Sequence, residues 1–203
     1  MVYLIIIIVC SIIIYIPNAI VNPAGVDYPW AYYALAVVIY VLGEVLIDAI
    51  VAIIGRKLPE KMMNPKKGII LTRDWEMKMF EALKVKAWKD YMPDLGRFTN
   101  FPKGNLMDPL NNEYIKRYIL EASYGVWIHY ASVPASPLIL LLGFIQPESV
   151  ATWTVGVPVV FVNMVLILLP AWTLKYNLPR LVRIADMNDR FLAKRKEKEE
   201  NSD

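Results

Sequence analysis

The sequence predicts an all-α, polytopic membrane helical bundle: about four transmembrane helices plus one amphipathic helix at the cytoplasmic interface. Three observations predict it. Of the 203 residues, 57% are hydrophobic, more than a soluble domain of this length can hide in a single core. The apolar residues gather in runs long enough to cross about 30 Å of hydrocarbon. All 22 Lys and Arg fall between Arg56 and Lys198, so charge and hydropathy come in separate blocks.

The first span runs from Val2 to about Ile20, with Pro17 near its end. Its start carries no Lys or Arg and no small-x-small cleavage pattern follows, so it reads as a retained span and not as a secretory signal. The stretch Asn22-Pro23-Ala24-Gly25 breaks the helix and turns the chain back. Pro29 opens the second span, which ends at Ile54. Tyr28, Trp30, Tyr32 and Tyr33 at its start form an aromatic cluster suited to the water interface. Its length of about 39 Å allows a tilted crossing.

Residues 56–113 form a cytoplasmic or interfacial segment with 12 of the Lys and Arg, too long to be a simple loop. Within it, Thr72 to Tyr91 is bounded by a capping threonine and by Pro93, and places Trp75, Met79, Leu83 and Ala87 four apart beside Trp88. That pattern predicts one amphipathic helix on the membrane surface. The third span follows Lys116-Arg117 and continues to Ile145, with Pro134 and Pro137 in its middle. A helix kinked or broken at membrane depth requires neighbouring protein or water to satisfy its carbonyls, which suggests a lined cavity. The fourth span, Val150 to Leu174, carries Pro158, Asn163 and Pro170. A basic tail from Lys175 follows, with residues 185–203 its charged end and a solvated, frayed helix expected from Lys194. The whole chain, 1–203, reads as one membrane domain.

The connections after spans one and three contain no Lys or Arg. The positive-inside rule therefore puts both termini and the middle segment in the cytoplasm, in a multi-pass protein of the cell membrane. Basic residues separated by long uncharged runs argue against a nucleic-acid partner. The single Cys10 excludes an internal disulfide, and one His with one Cys makes no metal site. With no Gly-rich phosphate loop and no G-x-S-x-G elbow, neither a nucleotide cofactor nor the common serine hydrolase arrangement is indicated; no cofactor is expected.

Ionisable groups in apolar spans are costly, so Glu44 and Asp48, one turn apart in the second span, are the first functional candidates. Read structurally, they accept hydrogen bonds from Asn163 or from Tyr and Ser hydroxyls, or Asp48 reaches toward the cytoplasmic interface. In the third span Glu121, Gly125, His129, Ser132 and Ser136 recur at intervals of 4, 4, 3 and 4, which puts them near one face and suggests a polar wall. His129, the only histidine, is suited by its near-neutral titration to take a proton from a hydroxyl. It also reads as a satisfied packing residue. Glu121 stands about 12 Å from it along the helix, so an orienting carboxylate for His129 has to come from Glu44 or Asp48.

The segment Val85-Lys86-Ala87-Trp88-Lys89-Asp90-Tyr91-Met92-Pro93 resembles the V-K-x-W-K-D-x-x-P motif of the glycosyl diaponeurosporenoate acyltransferase family. Glu121 to His129 is similar to that family's E-T-x-R-A-E-x-x-H segment, and Tyr176-Asn177-Leu178-Pro179-Arg180-Leu181 to its Y-N-R-P-R-L segment. Tyr124, Val126 and Leu178 depart from the pattern. The resemblance implies transfer of a fatty acyl group to a sugar hydroxyl of a membrane glycolipid, a glycosylated carotenoid or similar. The partners it implies are a lipid-linked sugar acceptor and an acyl donor, among membrane lipids. Catalysis would then involve His129 as general base, with Glu121, Glu44 and Asp48 as carboxylates. Lys86, Trp88, Lys89, Asp90, Asn177 and Arg180 would contact substrate, the basic ones holding donor phosphates or steadying an oxyanion. The same residues also read as lipid head-group contacts and, for Trp88, as an interfacial anchor. The rival is a non-catalytic small transporter or scaffold with an intramembrane Glu/Asp/His polar path.

Overall fold

A computed structural model describes residues 2–91, 111–144 and 150–200. The described residues are helical with no strand. The α-helices are α1 (Val2–Val21), α2 (Pro29–Arg56), α3 (Asp74–Ala82), α4 (Val85–Trp88), α5 (Asn112–Ala135) and α6 (Val157–Glu200). Four stretches are long and apolar enough to cross a membrane: Leu4–Val21, Pro29–Arg56, Asn112–Gly143 and Thr152–Arg195. This is a polytopic helical membrane protein, and the four expected spans are present. Met92 and Pro93, the end of the third span at Ile145 and the connection after it lie outside the described residues.

The chain divides into two compact units, Met1–Lys57 with Ile128–Leu169, and Leu58–Trp127 with Pro170–Asp203. In the first, the reversal between α1 and α2 is built on Asn22, whose backbone is left-handed at φ 47. Its amide exchanges two hydrogen bonds with Val26. The Ala24 N–H then donates to the Tyr33 hydroxyl at 2.9 Å. Pro29 starts α2 where no N–H is needed. Tyr33, Ala36, Val37 and Tyr40 lie on one face of α2 and are buried against Ile139, Ala151, Val155, Val159 and Val160. On its other face Leu35, Leu42 and Leu46 are each at least 60% exposed, as a lipid-facing surface requires.

The third span is broken, as its prolines predict. Pro134 lies inside α5, and the chain continues as a 3₁₀ helix over Ser136–Phe144, which contains Pro137. The fourth span begins with a wide π turn, Thr152–Gly156. Asn18 of α1 donates to the Thr154 carbonyl in this turn at 3.1 Å, satisfying a backbone group inside the membrane. The helix starting at Val157 does not stop at Leu174; it continues through Pro170 and Pro179 to Glu200.

In the second unit the single amphipathic helix expected from Thr72 to Tyr91 is two helices. Thr72 does not cap it: its hydroxyl donates to the Lys175 carbonyl at 2.8 Å. Arg73 occupies the cap position, and its N–H is received by Glu76 Oε2 at 2.8 Å. Lys84 is left-handed at φ 52, ending α3 and starting α4. Packing supplies the reason. Phe80 and Val85 are both fully buried, yet five residues of continuous helix would set them about 140° apart; the reversal at Lys84 turns Val85 inward. The buried face of α3 is Glu76 and Phe80, while Trp75 and Leu83 of the expected stripe are 57% and 45% exposed.

Elsewhere in this unit Ile115, Tyr118 and Ile119 of α5 bury against Leu181 and Ala185 of α6. Lys116 and Asp189 pair beside that core at 2.9 Å.

Close approach in the first unit separates two glycines. A Cβ at Gly156 meets the Tyr40 ring at 2.7 and 2.8 Å, whereas one at Gly43 meets only the flexible end of Ile139. Gly156→Ala is therefore expected to cost about 1–3 kcal/mol by overpacking and Gly43→Ala less, read from thermal unfolding of the detergent-solubilised proteins.

Candidate functional site

In the first unit, two carboxyl groups are solvated by protein donors from two other segments. Glu44 is 2% exposed, and its Oε2 accepts from Ser136 Oγ and from Asn163 Nδ2, each at 2.8 Å. The same Asn163 amide reaches Asp48 Oδ2 at 3.3 Å and stands 3.5 Å from Ser136 Oγ. The Ser132 hydroxyl lies within reach of the Asp48 carboxyl. Glu44 Oε1 and Asp48 Oδ1 are buried with no hydrogen-bond partner among the described residues.

Glu44 faces Ser136 and Asp48 faces Ser132, so α2 runs antiparallel to the end of α5 and the start of the 3₁₀ helix. His129 lies on α5 one turn before Ser132. His129 is half-buried. The predicted stripe thus presents Ser132 and Ser136 to the carboxyl pair, and His129 follows on the same face.

Glu121 is placed differently. It belongs to the second unit and is engaged by Arg117 at 2.8 Å across one helical turn. Gly125 faces Leu174, whose Cδ1 would stand 2.7 Å from an added Cβ.

The second unit joins two of the sequence motifs. Lys89 donates to Asn177 Oδ1 at 2.8 Å, and its ammonium lies 5.5 Å from the centre of the Tyr176 ring. Trp88 is half-buried, with its indole N–H on the Leu83 carbonyl at 3.0 Å. Lys86, Asp90 and Arg180 are exposed.

Beside this contact lies a pair that the sequence reading missed. Lys175 and Glu76 form an ion pair with side chains only 3% and 5% exposed. Phe80 sits against Trp172 and Tyr176 next to it. Lys175 ends an apolar run and Glu76 stands in the first turn of a polar helix; neither position signals burial. Removing one partner of such a pair leaves a buried charge. Lys175→Met is expected to cost about 3–5 kcal/mol, and combining it with Glu76→Gln to restore most of that, measured by denaturant unfolding in detergent.

No curated protein and no solved structure matches the chain. The family profile for glycosyl-4,4'-diaponeurosporenoate acyltransferase matches residues 65–187, more than half of the sequence. His129, Ser132, Ser136, Asn163, Glu76, Lys175, and the contact of Lys89 with Asn177 all fall inside that match, and the chain belongs to the glycosyl-4,4'-diaponeurosporenoate acyltransferase family.

Proposed function

We propose that this protein transfers a fatty acyl group to a sugar hydroxyl of a membrane glycolipid, a glycosylated carotenoid or a close analogue. Membership of the family supports the reaction class. The observation that supports the reading is the pair of carboxyl groups, Glu44 and Asp48, held by Ser136 and Asn163 inside a membrane-spanning unit that also contains His129.

In this mechanism His129 accepts the proton of the sugar hydroxyl as its oxygen bonds to the acyl carbonyl carbon. The bond from that carbon to the donor's leaving group breaks, and the imidazolium returns the proton to the leaving group. We assign direct transfer, with no acyl-enzyme on the path. Asp48, with Glu44 behind it, supplies negative charge that orients the imidazole and stabilises its protonated form. Lys89, fixed by Asn177, is assigned to the donor, with Lys86, Arg180, Trp88 and Asp90 at the donor's polar end. The basic middle segment and tail favour placing both, with the two termini, on the cytoplasmic side of the cell membrane.

The test uses purified protein in nanodiscs, a labelled long-chain acyl donor and a glycolipid acceptor. His129→Ala is expected to lower the transfer rate by about 10²–10⁴ in protein that elutes and unfolds as wild type does. Asp48→Asn added to it should cost nothing further, whereas fully additive losses would remove the proposed pairing. Lys89→Ala should raise the donor's KM more than it lowers kcat. The rival reading as a proton or solute path draws on the same buried carboxyl pair. It gains if wild-type protein transfers no acyl group yet dissipates a proton gradient in vesicles.

A further inference from the structure

The first unit contains an open cleft between α1, α2 and α6. Its walls are aliphatic: Ile7 and Ile14 of α1, Val41 and Val45 of α2, Val162 and Leu166 of α6. Its polar end is made by Glu44 and Asn163. Ile7 to Val45 precede residue 65, so most of this wall lies outside the residues matched by the family profile.

Glu44 sets the chemistry of the occupant. Its Oε2 is committed to Ser136 and Asn163, while its Oε1 is buried and meets no donor among the described residues. A buried carboxyl oxygen without a donor is a costly defect, removed by anything that brings an O–H to it. Beyond this end the cleft is hydrocarbon apart from Cys10 and Ser11 of α1, and the helices forming it are exposed along apolar faces, as shown by Ile8, Ile12 and Leu42 at 48%, 48% and 62%. The occupant therefore arrives from the lipid phase. The cleft lining holds no cationic group to receive a carboxylate or phosphate head. A thioester or ester carbonyl has no proton to give.

We infer that this cleft binds the hydroxyl-bearing end of a neutral lipid amphiphile, its O–H donated to Glu44 and its chain lying along α1 and α2. Identification of that amphiphile with the acyl acceptor rests on the acyl-transfer reading; the binding does not.

Cys10 lines the cleft and is the only cysteine, so it reports occupancy in the unmodified protein. The experiment follows alkylation of Cys10 by N-ethylmaleimide in the full-length protein, in nanodiscs, with decanol, its methyl ether or decanoate present. Decanol is expected to slow alkylation at concentrations about tenfold below those needed of the ether, the factor one hydrogen bond to a carboxylate contributes, and decanoate should not compete with it. In Glu44→Leu that preference should disappear. Equal protection by alcohol and ether in the wild type, preference for decanoate, a Cys10 that never reacts, or an alcohol preference surviving in a folded Glu44→Leu protein would each overturn the proposal. Selective protection by decanol in a protein that transfers no acyl group would remove the acyl-transfer reading and leave the cleft assignment standing.

Discussion

A carboxyl group in hydrocarbon has to be solvated by the protein itself, and in the first unit Asn163 is the group that does most of this. One amide nitrogen lies between Glu44, Asp48 and Ser136, tying α6 to α2 and to the start of the 3₁₀ helix that follows α5. Apolar contact alone holds helices together only weakly in lipid, because tails solvate leucine as well as leucine does. The polar contacts therefore specify which faces meet. Residues 1–55 and 128–169 contain no Lys or Arg; Arg56 at the end of α2 is about two turns beyond Asp48, and the hydrogen bonds that Glu44 accepts come from neutral donors.

The second unit solves the same problem with charge. Lys175 and Glu76 share one buried pair, and Thr72 takes the Lys175 carbonyl. These contacts fasten α3 to the turn of α6 that carries Tyr176 and Asn177. Lys89 reaches Asn177 because α4 leaves α3 at an angle. The left-handed Lys84 and the Lys89 contact are thus two consequences of one packing requirement, the burial of Val85 beside Phe80.

Much of this was readable in the residues. Hydropathy located the spans because twenty apolar residues have few other uses, and Pro29 and Asn22 to Gly25 marked their ends by local chemistry. Glu44 and Asp48 stood out for the same reason, as charges in runs that otherwise have none. Ser132 and Ser136 followed from helical spacing. The break at Lys84 was not readable, since lysine carries no preference for a left-handed backbone and the decision lies in a contact with distant residues. Lys175 and Glu76 are 99 residues apart, and nothing local to either announces the other. The helix through Pro170 and Pro179 was also hidden: proline marks a break on average, but a helix with neighbours can supply what the missing N–H leaves open.

The division of the polar network along the chain constrains how the family's features are to be read. Ser132, Ser136 and Asn163 lie within the matched residues; Glu44 and Asp48 do not. Three polar side chains turned toward hydrocarbon would be a liability in a membrane helix unless something accepts their protons. In this chain α2 provides the acceptors. It does so with two carboxyl groups that have four oxygens between them, more capacity than two hydroxyls and one amide can fill, and one oxygen on each acid is left over. A purely structural anchor would be served as well by an asparagine or a glutamine at position 44, at no risk of burying charge. The acids at positions 44 and 48 therefore carry more acceptor capacity than the contacts between these helices use.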